Sequence, residues 1–198
     1  MELTAIQFEV LKEIGNIGSG HAATSLSDLL QARINMEVPK VLLVPLEKIT
    51  EFLGDGDSVC VALYLRIEGE ISGKAVFILS VQGAEEIARR LLSLSRPPEL
   101  FHDEIAQSAL KEVGNILVSS FVIAITQFTG VKLLPSVPAI AIDMTGAILD
   151  AILLEEGEMD DYTLLIDTKL TGLKDMEGKF LFIPNQGSLE ILLGAFGV

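Results

Sequence analysis

The chain contains no tryptophan, two tyrosines, two histidines and one cysteine among 198 residues. Without tryptophan, and with nearly half of its residues hydrophobic, the core has to be assembled mostly from Ile, Leu and Val. A single cysteine excludes an internal disulfide and a zinc site built on paired thiolates. Cys60 lies in Val59-Cys60-Val61-Ala62-Leu63, which reads as a buried strand, so it is expected to be a core residue. Basic residues are also scarce, 14 against 28 acidic ones, for a formal net charge of −14. Such a surface repels phosphate backbones and anionic headgroups, which argues against nucleic-acid and membrane partners. A protein with a basic patch fits better. The longest apolar stretch, near Ile116–Ile125, is interrupted by Ser119 and Ser120 and is shorter than a bilayer span needs. No signal-peptide pattern opens the chain, and the expected compartment is the cytoplasm.

What the sequence does have is an internal repeat. Leu11-Lys12-Glu13-Ile14-Gly15-Asn16-Ile17 recurs 99 residues later as Leu110-Lys111-Glu112-Val113-Gly114-Asn115-Ile116. The same offset carries Val38-Pro39 onto Val137-Pro138. Gly73-Lys74-Ala75-Val76-Phe77-Ile78 is echoed by Gly178-Lys179-Phe180-Leu181-Phe182-Ile183, and Gln82-Gly83 by Gln186-Gly187. The order of landmarks is kept while the offset grows, which places small insertions in loops of the second half.

Each half reads the same way. A long helix opens it, over 4–32 and 102–129, with Val10, Ile14 and Ile17, and again Val113 and Ile116, at helical spacing. Asp103 is a candidate N-cap. A proline-marked strand follows over 38–45 and 138–144. Residues 46–53 suggest a helical turn, and 147–156 fit helix or strand. Two strands come next, over 58–68 and 73–81, matched by 162–170 and 178–184. Short helices close the halves over 83–95 and 187–196. Ser95-Arg96-Pro97-Pro98 separates repeat 1–96 from repeat 99–198. The expectation is one α+β domain over 1–198, internally duplicated and pseudo-twofold symmetric, with two long helices packed on a shared β-sheet.

At about 100° per residue, Glu13 and Asn16 share a helix face about 60° apart, with Glu9 and Gly20 in the same arc. In the second copy that arc holds Ser108, Glu112, Asn115 and Ser119. Gly15 and Gly114 lie between acid and amide. A mid-helix glycine costs roughly 1 kcal/mol relative to alanine, so its double occurrence implies close packing at that point or backbone approach by a partner. No nucleophile–base pair recurs in both halves. His21 aligns with Ser120 and His102 with Leu3, so both histidines read as structural or surface residues. One carboxylate and one amide per helix make a poor metal-ligand set. They can, however, serve a reagent that a partner supplies. A carboxamide both donates and accepts and can orient a water, and a carboxylate can anchor a lysine. Orienting water is one way to accelerate phosphoryl hydrolysis.

These residues resemble the signature of the CheC/CheX/FliY family of chemotaxis phosphatases: Asp or Ser, three residues, Glu, two residues, Asn, twenty-two residues, Pro. The second copy matches throughout, with Ser108, Glu112, Asn115 and Pro138. The first matches at Glu13, Asn16 and Pro39 but opens with Glu9. Length and the double signature suit the CheC type. The resemblance implies a CheC-like fold and hydrolysis of the aspartyl-phosphate of the response regulator CheY. It casts Glu13 and Glu112 as anchors for the regulator's lysine, and Asn16 and Asn115 as holders of the attacking water. Magnesium would sit on the regulator, with no cofactor on this chain. The resemblance also implies a second partner, the receptor deamidase CheD. Its docking residues are not legible, and the segment around Asp143–Ala151 is the candidate.

Two other readings compete. Gly18-Ser19-Gly20-His21-Ala22-Ala23 looks like a glycine-rich dinucleotide turn, but the residues before it already have helical period and the second copy lacks the glycines. A non-enzymatic module is the other: one that binds CheD, or one that resembles a flagellar switch component such as FliM.

Overall fold

The computed structural model describes residues 3–154, 158–172 and 176–195. Helix α1 (Ala5–Leu30) begins at a capping box: Gln7 N donates to Thr4 Oγ1 and Thr4 N donates to Gln7 Oε1, which satisfies two of the free amides of the first turn. Its counterpart α4 (Glu104–Thr129) is capped by Asp103, whose carboxylate accepts from Ala106 N at 2.9 Å, as the sequence suggested. Both helices end on a left-handed residue, Gln31 and Gly130.

After α1 come β1 (Asn35–Pro45), a single 3-10 turn, α2 (Ile49–Leu53), β2 (Val59–Gly69), β3 (Gly73–Ser80) and α3 (Val81–Leu91). After α4 come β4 (Leu133–Pro135), β5 (Ala139–Met144), α5 (Thr145–Leu153), β6 (Tyr162–Thr171), β7 (Met176–Pro184) and α6 (Ser188–Gly194). Residues 145–153 are therefore helical, which decides the open choice over 147–156; residues 155–156 of that range, and 196 of the last expected helix, lie outside the described residues. The first proline-marked strand starts three residues earlier than expected, at Asn35.

All strands pair antiparallel in one sheet ordered β1-β6-β7-β3-β2-β4, with β5 also on β2. The repeat explains this order. Each half sends its proline-marked strand across to the second strand of the other half: β1 lies on β6, and β4 and β5 lie on β2. At the centre β3 pairs with β7, and Val76 faces Leu181, its own repeat equivalent. Ala75 faces Phe182 and Phe77 faces Phe180, so the equivalents exchange places about that pair. The pseudo-twofold axis passes here, and the two repeats are interleaved.

The sheet is buried on both faces, which is why its central strands are almost unbroken apolar runs. Along β2, Val61 and Leu63 point to the layer of long helices, where they join Leu11, Ile14, Leu110, Val113, Leu117 and Phe121. Cys60 and Ala62 point the other way, toward Ile49, Ile148 and Leu149 under α2 and α5. Burial raises the Cys60 thiol above its ordinary pKa, in keeping with its expected core role. On that outer side the duplicated strand lysines reach across the repeats. Lys74 is buried and donates to Ile152 O at 2.6 Å, near the end of α5. Its equivalent Lys179 donates to Phe52 O at 3.0 Å, near the end of α2, and pairs with Asp167. A cation at a helix C-terminus meets carbonyls that lack intrahelical partners.

Helix α4 is long and apolar enough to cross a bilayer by length and composition. Here it is a core helix, packed on α1 and the sheet. The α1–α4 contact is set by Gly18: a Cβ there would sit 2.6 Å from Phe121 Cδ1 and 3.1 Å from its Cα. Phe121 is itself stacked on Phe180 at a centroid distance of 4.5 Å, so it has no room to withdraw. Gly18→Ala is expected to destabilise the chain by about 1–3 kcal/mol through overpacking. At Gly15 the nearest atom is a Val38 methyl at 3.2 Å, and alanine should be close to neutral because its helix propensity offsets the tighter contact. Denaturant melts of the two variants check the contrast.

Candidate functional site

The second and third turns of each long helix are amphipathic in the same way. Leu11, Ile14 and Gly15 on α1 are buried, while Glu9, Glu13, Asn16 and Gly20 are exposed. On α4, Leu110, Val113 and Gly114 are buried, Ser108 and Glu112 are exposed, and Asn115 and Ser119 are half-buried. Acid and amide are thus presented together, outward, on both helices, separated by about 4.5 Å along each axis. Among the described residues, none engages the side chains of Glu13, Asn16, Glu112 or Asn115 in a hydrogen bond or ion pair.

The glycine between acid and amide lets each helix lie close on the sheet. Gly15 meets Val38, and Gly114 meets Leu63 Cβ, with 2.9 Å available to an added Cβ. Pro39 directly follows Val38, and the β1–β6 register slips between Glu37 and Lys40. A proline fits such a bulge because it has no amide to lose from the ladder. Pro138 occupies the same place in the second copy, in the gap between β4 and β5, across which the pairing with β2 also shifts by one residue. Both signature prolines therefore mark a break in an edge strand. The copies differ next to it: Val38 is buried, whereas Val137 is 87% exposed.

Sequence reasoning also weighed positions that take no part in this face. His21 and His102 are exposed and lie off it. Residues 18–23 run through the middle of α1 with no strand before them, and Gly18 is spent on packing under Phe121. A dinucleotide turn is excluded there. Among the described residues no three His, Cys, Asp or Glu side chains converge into a metal-binding group. The segment Asp143–Ala151 lines an apolar groove of about 290 Å³ between β5 and α5, together with Tyr64.

Comparison with known proteins bears on the same residues. The model of the CheC-like family matches residues 9–43 and 105–142, the two stretches that carry the Glu/Asn pairs and the prolines. The CheY-P phosphatase CheC of Bacillus subtilis (strain 168) is 33% identical over 198 residues, covering 96% of this chain and 94% of that protein. The chain belongs to the CheC-like family. Solved structures share its fold over most or all of its length. Thermotoga maritima FliY superposes with a TM-score of 0.76 at 22% identity, covering 100% of this chain and 98% of that one. CheX of Borrelia burgdorferi, in a complex described as CheX-CheY-BeF3-Mg+2, superposes with a TM-score of 0.54 at 17% identity, covering 85% and 96%. The duplicated helix-and-sheet unit is thus the CheC-like fold, with the helices of the repeat facing outward from one side of the sheet.

Proposed function

We propose that this chain is a cytoplasmic phosphatase that hydrolyses the aspartyl-phosphate of a CheY-type response regulator. The observation that carries the reading is the twice-presented pair, Glu13 with Asn16 and Glu112 with Asn115, facing outward on equivalent helices of a CheC-like protein, with three of the four side chains exposed and Asn115 half-buried. Full-length similarity to a CheY-P phosphatase supports the substrate.

In this mechanism each carboxylate holds the lysine beside the regulator's phospho-aspartate through a charge-assisted hydrogen bond, fixing where the helix docks. The amide three residues on then reaches the phosphoryl group. Its oxygen accepts a hydrogen bond from the attacking water, whose protons leave with the phosphate, and its NH2 remains free to donate to a phosphoryl oxygen. The water oxygen attacks phosphorus in line, the bond from phosphorus to the aspartyl oxygen breaks, and carboxylate and inorganic phosphate separate. Magnesium would be held by the regulator and would supply positive charge to the phosphoryl oxygens there. This chain supplies position, and placing a reactant correctly accounts for large parts of a barrier. Ser108 and Glu9 flank the pairs one turn earlier, and Pro39 and Pro138 mark the breaks in the edge strands.

The apolar groove along Asp143–Ala151 is separate from both pairs in sequence and is our candidate for docking the deamidase CheD. The test of the main reading is to mix purified chain with phosphorylated CheY and magnesium and to follow loss of the phosphoryl group. Decay several-fold faster than the regulator's own is expected. Decay at the regulator's own rate would overturn the assignment.

A further inference from the structure

The repeat carries one more matched position, outside the signature. Ile6 recurs as Ile105 at the same offset of 99 that relates the Glu/Asn pairs. Both are the second residue of their helix, just after a side-chain cap, Thr4 in one and Asp103 in the other. Both point to solvent, with 58% and 70% of their surface exposed. Seven residues separate each from Glu13 or Glu112, which is nearly two full turns. Each isoleucine therefore lies within about 20° of the acid around the helix and about 10 Å from it along the axis.

A single exposed apolar residue is ordinary. A large β-branched one kept at the same helical position in both copies, in line with the site, calls for a reason other than core packing. It contributes nothing to either core cluster and is a weaker helix former than alanine. Protein interfaces of standard size bury roughly 800 Å² on each partner, a patch wide enough that a point about 10 Å from its centre is still inside.

Resting on the phosphatase reading above, we propose that Ile6 and Ile105 are the apolar anchors of the two docking sites. Each fills an exposed apolar patch on the phosphorylated regulator, about 10 Å from its phosphate pocket. The acid and amide then meet the lysine and the phosphoryl group while the isoleucine contributes affinity without touching the reacting atoms. The regulator is a better occupant than a second copy of this chain. Two copies meeting on this face would bring Glu9, Glu13 and Glu112 against one another in a protein of net charge −14.

The full-length double variant Ile6→Ala, Ile105→Ala tests this, since alanine keeps the helix and removes only exposed surface. Binding is titrated against CheY loaded with beryllofluoride and magnesium, and kcat and KM are measured with phosphorylated CheY. Kd and KM should each rise about tenfold with kcat within twofold of wild type, and the Ile6→Leu, Ile105→Leu variant should restore both. If the alanine variant of an otherwise active chain binds and turns over with unchanged Kd and KM, the anchor role is wrong. It is equally wrong if kcat falls at constant KM, or if light scattering shows that the substitution dissolves a dimer of this chain. A wild-type chain that binds the loaded regulator but does not hydrolyse the phosphorylated one would instead remove the phosphatase reading.

Discussion

Replacing Asn16 and Asn115 together by alanine should remove the acceleration of phospho-CheY decay entirely, a several-fold fall that returns it to the regulator's own rate, while the chain stays folded. Asn16 is exposed and Asn115 half-buried, and neither side chain holds a neighbour in place among the described residues. Alanine is also the better helix former, so circular dichroism and the melting midpoint should be unchanged or slightly raised. The effect should fall on kcat, because the amide acts on a water that is aligned only as the phosphoryl group transfers. Affinity for the regulator should be nearly kept, since the carboxylates that grip its lysine remain. Each single variant should retain activity through the other helix, because each pair is complete on its own element. Full activity in the double variant would mean that the amides do not handle the water.

A second large effect concerns the halves. The fragment spanning residues 1–96 should not exist as a folded monomer, despite containing a complete Glu/Asn pair. Its β1 pairs with β6, β2 with β4 and β5, and β3 with β7, and all four of those partners come from the second repeat. What remains is the β2–β3 hairpin with α1 and α3, and a two-stranded hairpin is marginal in water. Phe77, Leu63 and Val61, fully buried in the whole chain, would lose much of their cover. The fragment should be unfolded, or should pair with a second copy that re-creates the pseudo-twofold arrangement. Sedimentation with circular dichroism distinguishes these from a folded monomer, which would contradict the interleaved fold.

The sequence carries this architecture unevenly, for reasons that can be named. The repeat disclosed the duplication and the long helices because the Leu-Lys-Glu-x-Gly-Asn-Ile stretch has strong helical period and recurs nearly unchanged. It also indicated the outward Glu/Asn faces, because buried Leu11, Ile14, Leu110 and Val113 alternate with them at helical spacing. The exchange of edge strands was not legible. Nothing local in β1 states whether its partner will be β2 of its own half or β6 of the other; that choice is made by the global match of buried faces. Residues 147–156 stayed ambiguous because a short apolar run fits either element, and α5 is helical where it covers the outer face of the sheet. The break in the ladder at Pro39 and Pro138 was visible only as two prolines, since a bulge is a property of pairing. Ile6 and Ile105 were overlooked although the offset of 99 relates them. They precede the near-identical stretch, and an apolar residue at a helix start reads as core until its exposure is known.

The site's chemistry rests on one spatial relation, and a structure of the complex measures it directly. Full-length chain crystallised with CheY carrying beryllofluoride and magnesium should place the Asn16 or Asn115 amide within about 3 Å of the position from which water attacks in line. The matching Glu13 or Glu112 carboxylate should be hydrogen-bonded to the regulator's lysine. A complex in which the regulator sits elsewhere, with both amides facing bulk solvent, would contradict the account.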